Sequence, residues 1–113
     1  MGRVLNRLDA LGIADNTMVI FWSDHGDMLG QNGGFCGIKN QAYRASMQVP
    51  FIVRYPNKWD GGRKTEAMVD VGVDLMATLC DLVGMELPND AHSRSYLPVL
   101  QDAHQNHRQG RHQ

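Results

Sequence analysis

The chain has 113 residues, of which 42% are hydrophobic and 20% charged, and its formal net charge is -1. This length and composition are typical of one globular domain at most. The near-neutral charge gives no electrostatic reason to expect nucleic acid or an acidic membrane surface as a partner, and no apolar run is long enough to span a bilayer.

The first predicted elements are a helix and a strand. Gly12 is a natural stop for the helix, whose apolar residues recur at helical spacing: Val4, Leu5, Leu8 and Leu11. Residues 18–22, Met-Val-Ile-Phe-Trp, form a continuous apolar run, which predicts a strand buried on both faces. A helix followed by a strand is half of a βαβ unit.

Polar residues follow this strand at once, with Asp24, His25 and Asp27 around Gly26. In open α/β sheets, ligands bind just beyond the carboxyl ends of the strands. A carboxylate beside an imidazole at that position suits a metal ion or a charged substrate. The alternative is an ordinary polar turn that closes the strand.

The middle of the chain predicts a loop, a short helix and a second strand. Residues 23–40 are rich in glycine, and a loop of that length in a compact domain is usually functional or disordered. Residues 41–48 predict a short helix that ends before Pro50. Residues 51–55, Phe-Ile-Val-Arg-Tyr, predict a buried strand, and residues 66–71 a short third strand.

The clearest helix is predicted at residues 74–83, with Asp70 or Asp74 as its N-cap and Gly84 as its stop. Its apolar face is Leu75, Met76, Leu79, Leu82 and Val83. Cys80 is expected as a free thiol in the core of this helix and Cys36 as a free thiol in a loop.

Residues 101–113 are polar, with three spaced histidines, and we predict a disordered tail with little prospect of a real metal site.

Together these elements predict an α/β fold, a mostly parallel sheet flanked by helices. Strands that are apolar on both faces need helices on both faces and further strands beside them, and this chain offers too few. We therefore expect residues 1–100 to be part of a larger domain, or to pair with another chain.

Four blocks of sequence, in order, resemble the sulfatases of the alkaline phosphatase superfamily. Residues 8–30 are similar to the family stretch that ends in Ser-Asp-His-Gly-Asp-x-Leu-Gly, and residues 39–56 to a Lys-x-x-x-Tyr block followed by Val-Pro-Phe-Ile-Val-Arg-x-Pro. Residues 73–84 resemble the Val-Asp-Leu-x-Pro-Thr-Leu helix, and residues 94–100 the Arg-Ser-Leu-Leu-Pro-Leu-Leu segment. The resemblance implies an alkaline-phosphatase-like fold, present here as the C-terminal part of a catalytic domain.

The resemblance also implies roles for three residues. Asp24 and His25 match the family's ligands to a divalent cation, commonly Ca²⁺, and the carboxylate suits calcium better than the imidazole does. The imidazole would also suit a transition metal, or could bond to the sulfate or the nucleophile. Lys39 matches a lysine that contacts the sulfate group, where it would offset negative charge. The alternative for Lys39 is a solvated surface lysine.

Several positions depart from the family pattern. Residues 31–34, Gln-Asn-Gly-Gly, replace Glu/Asp-His-Gly, and Arg44 and Gln48 stand where an acidic residue and an arginine are usual. Neither cysteine lies in the Cys/Ser-x-Pro-x-Arg segment whose Cys or Ser becomes the formylglycine nucleophile. We therefore expect the nucleophile to lie outside this chain and the chain alone to be inactive.

The resemblance thus implies a sulfuric ester hydrolase with a sulfate ester as its substrate. One alternative is a phosphodiester or phosphonate monoester hydrolase of the same superfamily, since the same cation and lysine would serve a phosphoryl group. The other is a non-catalytic remnant, or a subunit completed by another chain. The sequence does not indicate a cellular compartment.

Overall fold

A computed structural model describes residues 1–34, 42–88, 92–102 and 104 of the chain. These residues fall into two compact units, Met1–Tyr55 and Pro56–Gln113. Within the described residues, no helix has the length and apolar character needed to cross a membrane. The expectation that residues 1–100 form one partial domain stays a prediction.

The first unit begins with helix α1, Gly2–Ala10, which ends at Leu11 and Gly12 as the sequence predicts. Gly12 has a φ of +66°, a left-handed conformation that glycine adopts without strain. A 3₁₀ turn, Ala14–Asn16, then leads into strand β1, Val19–Trp22. The predicted helix and strand are therefore both present.

Three further short elements lie in the described residues of this unit. They are helix α2, Gln31–Gly34, helix α3, Arg44–Met47, and strand β2, Phe51–Arg54. α3 lies inside the short helix predicted at residues 41–48, and β2 lies inside the strand predicted at 51–55. Gly33 has a φ of +93°, which a side chain would strain.

The two strands pair antiparallel, in the register Val19↔Arg54 to Trp22↔Phe51. This pairing differs from the mostly parallel sheet that the sequence predicts, and the described residues contain no parallel pair to support that sheet. The reason is physical: a continuous apolar run signals burial on two faces but carries no information on strand direction.

The sheet is also less covered than a strand apolar on both faces requires. Phe21 is 45% exposed, Trp22 42% and Ile52 59%. An apolar pocket of about 240 Å³ opens at the α1 side of the strands, lined by Met1, Leu5, Val19, Phe21, Ile52 and Arg54. These exposures agree with the expectation that this chain offers too little cover for its own strands.

The second unit contains helix α4, Val71–Val83, and helix α5, Leu97–Gln101. α4 begins three residues before the predicted start, because the side chain of Asp70 accepts a hydrogen bond from the Val73 N–H and caps the helix there. The third strand predicted at residues 66–71 is wrong: residues 66–70 have no regular structure and Val71 is already helical. At the other end, Gly84 adopts φ +71° and closes the helix as predicted.

The buried face of α4 differs from the predicted apolar one. Its buried residues are Asp74, Ala77, Thr78 and Cys80, whereas Met76 is 61% and Val83 65% exposed. The prediction is wrong for Met76 and Val83, whereas Leu75, Leu79 and Leu82 are half-buried. Asp74 and Thr78 are buried because they accept backbone hydrogen bonds from residues 94 and 96. Cys80 is a buried free thiol, as expected, and Cys36 lies outside the described residues.

α5 is held at its C-terminal end by an arginine. Arg63 donates from Nη1 to the Gln101 carbonyl at 2.8 Å and from Nη2 to the Leu100 carbonyl at 2.7 Å. These carbonyls have no partner within the helix, so the guanidinium satisfies them.

Of the predicted disordered tail, only residues 101, 102 and 104 are described, so that prediction is not tested.

Candidate metal centre

The candidate site lies in the loop that follows β1, where the sequence places an acid beside a histidine. His25 Nε2 is 3.4 Å from Asp24 Oδ2, so the two side chains converge. The Asp24 side chain is 82% exposed and that of His25 41%, which leaves both within reach of solvent ions. The pair therefore presents an oxygen and a nitrogen ligand at one point of the surface.

Hydrogen bonds to Asp24 favour its ionised form. The backbone N–H of His25 donates to Asp24 Oδ1 at 2.9 Å. The Ser23 hydroxyl lies 3.3 Å from the same oxygen and closer, at 2.8 Å, to the His25 carbonyl oxygen, which also accepts from it. The His25 backbone N–H is the main cause that lowers the pKa of the Asp24 carboxyl, although burial acts in the opposite direction. A carboxylate held ionised in this way is ready to bind a cation.

The ring of His25 is held by the backbone of the next residue. Nδ1 lies 2.9 Å from the Gly26 carbonyl oxygen, and because that oxygen can only accept, Nδ1 carries the hydrogen. In the neutral ring Nε2 then carries a lone pair, and this nitrogen lies 3.4 Å from Asp24 Oδ2.

Gly26 is required by a close approach rather than by its φ. Its N–H donates to the Ser46 carbonyl of α3 at 2.8 Å. A Cβ at this position would lie 1.9 Å from the Ala45 carbonyl oxygen. The loop thus packs directly on the backbone of α3, a support that nothing in the sequence indicates.

Asp27, the third polar residue after the strand, helps to shape the turn. Its Oδ1 accepts a hydrogen bond from the Leu29 N–H at 3.0 Å, and Leu29 has a φ of +41°. Met28 between them is fully buried and anchors the loop. The ordinary polar turn considered as an alternative therefore accounts for Asp27.

The described residues contain no group of three or more His, Cys, Asp or Glu side chains that could hold a metal ion. Asp24 and His25 are thus two ligands, and a complete coordination sphere needs more.

Lys39, the predicted sulfate contact, lies outside the described residues. In the tail, the His104 N–H donates to Asp102 Oδ1 at 3.0 Å, and the other two histidines are not described.

Comparison with known proteins identifies the class. The family model described as Sulfatase matches residues 1–85, three quarters of the chain. The chain therefore belongs to the sulfatase family, as its four sequence blocks indicate.

Particular relatives agree with this assignment. The N-acetylglucosamine-6-O-sulfatase of Bacteroides thetaiotaomicron is 36% identical over 102 residues, a match that covers 90% of this chain and 18% of that protein. A solved structure of a protein bound to its substrate D-glucosamine-2-N,6-O-disulfate superimposes with a TM-score of 0.80 at 36% identity, over 90% of this chain and 20% of that one.

A phosphonate monoester hydrolase from Silicibacter pomeroyi superimposes with a TM-score of 0.73 at 36% identity, over 88% of this chain and 19% of that one. The chain thus spans about a fifth of the length of the relatives that it matches, and it has the fold of that part of an alkaline-phosphatase-like enzyme.

Proposed function

We propose that this chain contributes the Asp24–His25 pair to the metal centre of a sulfate ester hydrolase, and that Ca²⁺ is the bound ion. The observation that carries this proposal is the 3.4 Å approach of His25 Nε2 to Asp24 Oδ2 in a chain of the sulfatase family. The exposed ionised carboxylate is the kind of oxygen ligand that Ca²⁺ prefers, whereas the ring nitrogen beside it is a ligand better suited to a transition metal.

In this proposal a bound cation would stabilise negative charge on the sulfuryl oxygens and on the attacking group. The chain's own residues position that charge. The His25 N–H orients the Asp24 carboxylate, and the Gly26 carbonyl orients the imidazole. Lys39 would bind the sulfate group and neutralise part of its charge.

We further propose that hydrolysis requires groups outside these 113 residues. The chain contains no Cys/Ser-x-Pro-x-Arg segment to supply a formylglycine nucleophile. A cation site without a nucleophile cannot cleave a sulfate ester at a useful rate. The exposure of the apolar residues Phe21, Trp22 and Ile52 supports the proposal that half of the domain is missing from these residues. That half would be carried on the same polypeptide or on a complementing chain.

A graft tests this function directly. Replacing the matched segment of the Bacteroides N-acetylglucosamine-6-O-sulfatase with this chain supplies the nucleophile and the remaining pocket. We expect the graft to hydrolyse its sulfated sugar when Ca²⁺ is present, and its Asp24→Ala and Lys39→Ala variants to lose at least about a hundredfold in kcat/KM.

The matched control is Asp15→Ala, an exposed acid in the 3₁₀ turn that precedes β1, which should keep full activity. A folded graft whose activity is unchanged by Asp24→Ala would refute the proposal. A graft that folds, as judged by circular dichroism, but binds no substrate would favour the non-catalytic remnant instead.

A second candidate is a phosphonate monoester or phosphodiester hydrolase, favoured by the superposition on the Silicibacter enzyme. The cation and lysine would serve a phosphoryl group equally well, because both reactions need charge neutralised on a tetrahedral centre. Grafting the chain into that hydrolase as well separates the two. Activity restored only in the phosphonate monoester hydrolase would favour the second candidate.

A further inference from the structure

Two hydrogen bonds in series connect α3 to the ring of His25. The Ser46 carbonyl accepts from the Gly26 N–H at 2.8 Å, and the Gly26 carbonyl accepts from His25 Nδ1 at 2.9 Å. The backbone of Gly26 therefore touches both the supporting helix and the candidate ligand. No side chain takes part in this connection except the imidazole itself.

Steric contact with α3 also restricts residue 26 to glycine. A Cβ on residue 26 would lie 1.9 Å from the Ala45 carbonyl oxygen, 3.0 Å from the Ala45 carbonyl carbon and 3.4 Å from Ser46 Cα. These are backbone atoms of a helix turn, and Ser46 is only 2% exposed, so they cannot move aside cheaply. Only glycine lets the loop approach α3 closely enough to form both hydrogen bonds.

We propose that Gly26 is a positioning residue that sets the tautomer of His25. Held against α3, its carbonyl keeps the hydrogen on Nδ1 and leaves a lone pair on Nε2, the ring nitrogen that lies 3.4 Å from Asp24 Oδ2 and that would bind the ion of the proposed function. Ring nitrogens that bind metals are commonly oriented by a hydrogen bond at the other nitrogen. The proposal deepens the proposed function, and its consequence for metal binding rests on it.

A purely structural role for Gly26 makes a different prediction. If the close packing served only to hold the loop, a substitution at residue 26 would lower the stability of the fold. Solvent, and not residue 26, would then determine the tautomer of His25. A positioning role requires that the tautomer itself depends on residue 26. The state of the ring nitrogens is therefore the deciding observable.

The first measurement uses the unmodified, ¹⁵N-labelled chain. Long-range ¹H–¹⁵N correlation spectra distinguish a protonated ring nitrogen from one with a lone pair. We expect Nδ1 of His25 to carry the hydrogen and the Gly26 amide to exchange slowly. An Nε2–H tautomer in the unmodified chain would overturn the proposal.

The second measurement compares Gly26→Ala with the matched control Ser46→Ala. The control keeps the Ser46 carbonyl and removes only Oγ, which has no partner among the described residues. We expect Gly26→Ala to lose the Nδ1–H tautomer and to bind Mn²⁺ about tenfold or more weakly, and the control to change neither. A folded Gly26→Ala variant that keeps the Nδ1–H tautomer would overturn the proposal.

If Gly26→Ala does not fold, the tautomer of His25 in the unmodified chain decides the proposal alone. The tautomer assignment and the proposed metal centre can be refuted separately. An unmodified chain with the Nδ1–H tautomer that binds no divalent cation would refute the metal centre and leave the tautomer assignment standing.

Discussion

At the scale of single residues, Tyr96 is a group whose ionisation is strongly altered by folding. Its side chain is 1% exposed, and burial is the main cause that raises its pKa to about 12. The negative charge of Asp74 acts in the same direction, whereas a hydrogen bond with Thr78 acts against it. The phenol is therefore kept neutral well above the pH at which an exposed tyrosine ionises.

This shift predicts how stability depends on pH. Because the folded pKa of Tyr96 is above the unfolded value of about 10, its contribution is complete below pH 10 and is lost between about pH 10 and 12. Thermal melts of the unmodified chain should fall more steeply in that window than melts of Tyr96→Phe, which has no proton to lose. Parallel curves for the two proteins would contradict the assignment.

Asp74 gives a second prediction at this scale. It is fully buried, its Oδ1 accepts from the Arg94 N–H at 3.0 Å and its Oδ2 from the Asp70 N–H at 3.3 Å. Asp74→Ala should lower the free energy of unfolding by about 2–3 kcal/mol, because it takes away the charged acceptor of those donors. The control Asp60→Ala, on the surface, should cost less than about 0.5 kcal/mol in the same urea titration.

At the scale of elements, α4 is defined by its two caps. Asp70 accepts from the Val73 N–H at 3.2 Å, and Gly84 ends the helix in a left-handed conformation. Asp70→Ala should cost about 1 kcal/mol of stability, whereas Asp70→Asn should cost little because its amide oxygen caps equally well. Equal losses in the two variants, measured by urea denaturation, would show that the charge of Asp70 matters rather than its cap.

The caps also explain which elements the sequence could predict. Gly12 and Gly84 stop α1 and α4 at the predicted places, because a left-handed glycine is a local signal. The buried face of α4 was not predictable in the same way. It depends on hydrogen bonds from residues 94 and 96 to Asp74 and Thr78, which are distant in sequence. Apolar periodicity alone selected Met76 and Val83, which are exposed.

The candidate site, like α4, has features that the sequence could predict and features that it could not. The convergence of Asp24 and His25 follows from their adjacency at the end of β1, so the sequence could predict it. The support of the site by α3 could not be predicted, because backbone atoms of Ala45 and Ser46 provide it and backbone atoms carry no sequence signal. The antiparallel pairing of β1 and β2 escaped prediction for the reason already given, that apolar runs do not encode strand direction.

At the scale of the whole molecule, we expect that the chain alone does not hydrolyse sulfate esters. The reason is chemical: the 113 residues contain no segment that would supply the formylglycine nucleophile. Purified chain with Ca²⁺ should release no more product from an aryl sulfate than buffer does. Turnover above that background, abolished by Asp24→Ala, would contradict the prediction.

The central claim is that Asp24 and His25 bind a divalent cation, and a paramagnetic titration tests it most directly. Mn²⁺ added to the ¹⁵N-labelled chain should broaden the resonances of residues 23–27 first, and Ca²⁺ should reverse the broadening by competition. With two ligands from this chain, we expect a dissociation constant on the order of 10⁻³ M. Asp24→Asn should abolish the effect and Asp15→Asn should not. Broadening that persists at residues 23–27 in Asp24→Asn, or that is centred elsewhere in the unmodified chain, would contradict the account.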